Sequence, residues 1–98
     1  MEIVKKQDGS NLTISLEGRL DTTTAPQLET ELKQSLDGIE ALEFDLSKLD
    51  YISSAGLRVL LSAHKAFAKK NGLVITNVNE TVLEIFDVTG FKDILNIK

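Results

Sequence analysis

The hydrophobic pattern of this chain changes period abruptly in its middle, and that change constrains the fold more than any other feature. Leu42, Phe44 and Leu46 alternate with Glu43, Asp45 and Ser47, the repeat of a strand with one buried face. Leu57, Leu60, Leu61, Phe67 and Ala68 then recur at helical spacing, with His64 flanking the stripe. The stretch Asp50-Tyr51-Ile52-Ser53-Ser54-Ala55-Gly56-Leu57 joins the two patterns as a short polar turn. A strand therefore passes directly into a helix, with two serines at the helix mouth. A hydroxyl there can accept from the unpaired amides of the first turn, and a negative charge there meets the positive end of the helix dipole.

The flanking segments extend this alternation. Ile3 and Val4, then Leu12, Ile14 and Leu16, read as two strands of a hairpin turning at Gln7-Asp8-Gly9-Ser10. Gly18-Arg19-Leu20-Asp21-Thr22-Thr23-Thr24 reads as a polar loop ending in a helix start. Thr24 and Gln27 fit a capping box, and Pro26 fits a first turn. Leu28, Leu32 and Leu36 make the apolar stripe of that helix beside a Glu29/Lys33 pair, and Asp37-Gly38 ends it. The strand from Ala41 to Leu46 follows, and the central helix stops at Lys69-Lys70-Asn71-Gly72. Leu73 to Asn77 is a buried strand. Asn79 caps a short helix carrying Val82, Leu83, Ile85 and Phe86, which ends near Gly90, and the tail from Phe91 to Lys98 is apolar enough to dock. The order β-β-α-β-α-β-α implies a mixed, partly parallel sheet covered by helices in an α/β domain.

Ninety-eight residues suit one domain, and a composition 42% hydrophobic and 27% charged is that of a globular chain. A net charge of −4 argues against nucleic acid or an anionic membrane as the main partner. The absence of cysteine excludes disulfides and thiolate metal sites. No run approaches the roughly 18 apolar residues of a membrane span, and Met1 to Lys6 lacks a signal peptide's apolar core, so a cytoplasmic location without membrane insertion is expected.

The chemistry open to the turn is narrow. A hydrolase elbow needs a glycine two residues either side of its serine, and Gly56 supplies one while Ile52 occupies the other position. The one histidine, His64, is roughly 15 Å along the same helix from Ser54 at 1.5 Å per residue, too far to act as its base. His64 reads as a packed or half-buried side chain, not a metal ligand. Neither phosphate-binding glycine pattern occurs, and no paired carboxylates stand out for acid/base work. No cofactor, metal or catalytic residue is assigned. Two uses of the serines remain. They are helix caps worth about 1 kcal/mol, which accounts for one serine better than for two. Or one is a switch: phosphorylation adds close to two negative charges, tolerated by the helix N-terminus and by Arg58 four residues on.

The run Phe44-Asp45-Leu46-Ser47 with Tyr51-Ile52-Ser53-Ser54-Ala55-Gly56-Leu57-Arg58-Val59-Leu60 resembles the STAS domain family, specifically the bacterial anti-sigma factor antagonists. Gly18-Arg19-Leu20-Asp21 and Val88-Thr89-Gly90-Phe91 resemble that family's flanking motifs, so the resemblance spans nearly the whole chain. It implies a single STAS domain over residues 1–98, with a mixed β-sheet of about four to five strands covered by about four helices. It also implies partner switching without enzymatic activity. In the family a serine before a small residue and glycine is phosphorylated by an anti-sigma factor serine/threonine kinase, and the matching residue here is Ser54, with Ser53 as second choice. Ser53 stands where the family commonly has aspartate. Asp21, Thr22, Thr23, Asp50, Ser53, Ser54, Ala55, Gly56, Leu57 and Arg58 would form the partner-binding surface. A phosphoserine phosphatase is the further partner such a cycle implies. The alternative within the resemblance is an unphosphorylated scaffold subunit of a transporter or stress-signalling assembly.

Overall fold

The computed structural model describes residues 1–98. Its elements are β1 (Glu2–Asp8), β2 (Asn11–Leu20), α1 (Ala25–Ser35), β3 (Ala41–Ile52), α2 (Ser54–Phe67), β4 (Leu73–Thr76) and α3 (Glu80–Val88), followed by a 3-10 turn at Phe91–Asp93. The sheet order is β1-β2-β3-β4, with β1 antiparallel to β2 and the pairs β2/β3 and β3/β4 parallel. This is the mixed sheet expected from the alternation of periods. A bridge from Ile97 to Ile75 docks the tail as a short fifth rung beside β4.

The β1–β2 hairpin closes between Asp8 and Asn11, tighter than the four-residue turn expected, because Gly9 takes φ +63°. Leu12, Ile14 and Leu16 of β2, Leu42, Phe44 and Leu46 of β3, and Leu73 and Ile75 of β4 point into one core. Leu28 and Leu32 of α1, Leu57, Leu60 and Phe67 of α2, and Val82 and Phe86 of α3 complete it. Fully burying each of Phe44, Phe67 and Phe86 contributes about 1.5–3 kcal/mol.

Two boundaries differ from the sequence expectation in ways that shape the site. β3 does not stop at Leu46 but continues to Ile52, and β2 continues through Gly18 and Arg19 to Leu20. Register shifts between Ser15 and Glu17, and again between Gly18 and Arg19, break the two-residue alternation, so Leu46, Leu49 and Ile52 are buried at three-residue intervals. The capping box is also absent. Thr24 is the N-cap of α1 with a helical backbone, and its side chain makes no cap bond. The cap on α3 forms as expected: Asn79 accepts from the Val82 amide at 2.9 Å and donates to the Leu49 carbonyl at 2.6 Å.

Candidate functional site

The site lies at the carboxyl ends of the two parallel strands β2 and β3, where open α/β sheets place their ligands. Arg19 pairs with Tyr51 and Leu20 with Ile52, so both strands end at one level. The Ser53 amide then donates to the Leu20 carbonyl at 2.8 Å. This bond sets the loop after β2 beside the mouth of α2.

The loop is built on its own polar groups. Asp21 accepts at Oδ1 from the Thr23 and Thr24 amides at 3.0 and 3.2 Å. Thr24 Oγ1 accepts from the Asp21 amide and donates to the Arg19 carbonyl, each at 2.8 Å, which is why it does not cap α1. The Thr24 amide foremost, then the Thr23 amide, the Thr24 hydroxyl and the Arg19 guanidinium, hold the Asp21 carboxyl below the ordinary aspartate value, against a smaller opposing effect of desolvation. Arg19 lies 3.8 Å from Asp21 and stacks 4.5 Å over the Tyr51 ring. No sequence signal marked Arg19 and Tyr51 as neighbours, since only the strand register brings them together.

The two serines have opposite environments. Ser53 is the N-cap of α2 with extended backbone, yet its side chain makes no cap bond and its Oγ is buried without a partner. Ser54 is the first helical residue and is exposed. Gly56 sits on Leu20 and Ile52, where a Cβ would come within 2.7 Å of Leu20 Cγ and 2.9 Å of Ile52 Cγ1. A glycine here lets α2 start in close contact with both strand ends. Leu57 is buried as well, so Gly56 and Leu57 support the surface from beneath and present no side chain on it.

Thr22, Thr23, Asp50 and Arg58 are exposed, and Asp21 and Ala55 are half-buried. Thr22, Ala55 and Arg58 meet at the mouth of a groove of about 540 Å³ between α1 and α2, floored by Leu32, Val59 and Ala63. Asp50 is skipped at the second register shift between β2 and β3, left without a partner on β2. His64 is half-buried with Nδ1 unpartnered, in accord with the packed reading. No group of three histidines, cysteines or acidic residues is placed to hold a metal ion. No helix is long and apolar enough to cross a membrane.

The fold and this surface define a small α/β domain that presents one free hydroxyl at the head of its central helix. The chain belongs to the STAS domain family, whose model matches residues 2–98. BtrV of Bordetella bronchiseptica is 40% identical over 94 residues, covering 94% of this chain and 80% of that protein. The anti-sigma-B factor antagonist of Listeria monocytogenes is 32% identical over 98 residues, covering 97% of this chain and 85% of that protein. Among solved structures, the anti-sigma factor antagonist SpoIIAA in its unphosphorylated form superposes with a TM-score of 0.83 at 16% identity, over 99% of this chain and 88% of that one. The Bacillus SpoIIAA in its phosphorylated form superposes with a TM-score of 0.75 at 15% identity, over 99% of this chain and 91% of that one. Both likenesses speak to the fold.

Proposed function

We propose that this chain is an anti-sigma factor antagonist controlled by phosphorylation of Ser54. One contrast carries the choice of residue: Ser54 is exposed at the first position of α2, while the Oγ of Ser53 is buried. A kinase needs the acceptor hydroxyl in its own active site, so Ser54 is the serine within reach. Relatives named anti-sigma factor antagonists, and a shared fold with a protein known in unphosphorylated and phosphorylated forms, support the reading.

In the unphosphorylated state the surface around Thr22, Ala55 and Arg58 binds an anti-sigma factor that is also an ATP-dependent serine kinase, and the sigma factor is released. The kinase then transfers the γ-phosphoryl group of ATP to Ser54 Oγ. ADP leaves, and the hydroxyl proton passes to a base of the kinase. The product carries a dianion where a neutral hydroxyl was bound, in the middle of the contact. A loss of about 3 kcal/mol in binding lowers affinity more than a hundredfold, and forcing a bulky dianion against a partner surface matched to a neutral hydroxyl is enough to supply it. A phosphoserine phosphatase would restore the binding form.

The test is binding to the anti-sigma kinase encoded in the same genome, measured by calorimetry with and without ATP. Ser54→Ala is expected to bind constitutively, Ser54→Asp to bind far more weakly, and mass spectrometry to place one phosphate on Ser54 of the wild type. Equal binding by both variants, or phosphate elsewhere, would overturn the assignment.

A further inference from the structure

We propose that Arg58 is the residue that holds the phosphate on Ser54, folding it back along α2 at the mouth of the α1/α2 groove. The inference rests on the phosphorylation reading above and adds the group that receives the charge. Three observations converge on Arg58. It stands four residues after Ser54 on the same helix, with the anion's position N-terminal to the cation's, which is the favourable order for such a pair. Helical side chains lean toward the helix N-terminus, so a long side chain at position 58 covers the turn that begins at Ser54.

The second observation is that Arg58 is uncommitted. Arg19 is held by Asp21 and the Tyr51 ring, and Lys33 is held by Glu29, whereas Arg58 takes part in none of the protein's ion pairs or side-chain hydrogen bonds. The carboxylate that shares its groove, Glu29, is already paired with Lys33 at 3.3 Å. The third is position. Ser54 and Arg58 are both exposed, and Arg58 lines the α1/α2 groove with Thr22 and Ala55, so its guanidinium is not packed into the core. A guanidinium offers phosphate a planar fork of donors, which a lysine at the same place would not.

The experiment uses full-length protein with phosphoserine incorporated genetically at position 54, so that no kinase is needed. The second ionisation of the phosphate is followed by phosphorus NMR. With Arg58 present it is expected below the value near 6 of a free phosphoserine. Arg58→Gln should raise it by about half a unit, Arg58→Lys should recover part of the difference, and Lys65→Gln, which removes a charge farther along α2, should leave it unchanged. Circular dichroism of the same samples confirms that each variant is folded. An identical titration in wild type and Arg58→Gln would overturn the proposal, as would an equal shift from Lys65→Gln. Because phosphoserine is supplied directly, a failure of the kinase to modify Ser54 would sink the functional reading without touching this titration.

Discussion

Gly56 approaches Leu20 so closely that a Cβ on it would lie 2.7 Å from Leu20 Cγ, and this contact holds the head of α2 against the end of β2. The neighbouring Ser53 amide, bonded to the Leu20 carbonyl at 2.8 Å, fixes the same joint through the backbone. A site assembled from two strand ends and one helix start depends on both.

Gly56→Ala is therefore expected to destabilise the domain. An alanine in a helix interior normally gains about 1 kcal/mol over glycine. Here the methyl group meets both Leu20 and Ile52, and overpacking of this kind costs about 1–3 kcal/mol, enough to reverse the sign. Urea denaturation decides it: a variant as stable as wild type or more so would mean the joint yields easily.

Period alone placed the hairpin, the helices and the mixed sheet, because Leu42, Phe44 and Leu46, then Leu57, Leu60 and Phe67, are buried at the spacings that strands and helices impose. It failed where pairing between strands overrides local spacing. Leu49 and Ile52 belong to β3, but the register shifts remove the alternation that would have marked them. Thr24 looked like a cap because Gln27 follows at the right distance, yet the Arg19 carbonyl lies closer in space than any sequence rule encodes. The exposure of Ser54 and the burial of the Ser53 hydroxyl were equally hidden. Adjacent identical residues differ only once α2 is laid on the sheet.

Ser53→Ala provides a direct check on that difference. If Ser53 capped α2, the substitution would cost about 1 kcal/mol. Its Oγ instead is buried with no partner, so removing it should leave stability unchanged or raise it by up to about 1 kcal/mol. Thermal melting separates the two outcomes, and a clear loss of stability would show that the hydroxyl does cap the helix in solution.

Asn79 ties α3 to the sheet through both ends of its amide, accepting from Val82 and donating to Leu49. Asn79→Ala removes a helix cap and leaves the Leu49 carbonyl without its donor, a combined loss of about 2 kcal/mol. Asn79→Ser keeps a capping oxygen and is too short to reach Leu49, so it should fall between alanine and wild type. Equal stability for all three proteins in guanidinium unfolding would remove this contact from the account of the fold.

Asp21 makes the stability of the loop depend on pH with a definite sign. Its carboxyl is held below the reference value of 3.8, so the folded protein binds the carboxylate form more favourably than the unfolded chain does. That contribution is present in full above the unfolded value and disappears as pH falls through the lower folded one. Asp21→Asn retains an oxygen that can accept from the Thr23 and Thr24 amides but lacks the charge that strengthens those bonds. The variant should thus be less stable than wild type at neutral pH, and the gap should narrow as pH is lowered past 3.8 and close below the folded value. Chemical denaturation of both proteins across this range measures the gap directly. A difference that stays constant with pH would show that the asparagine disturbs the loop by its shape, and that charge at residue 21 does not hold the strand end in place.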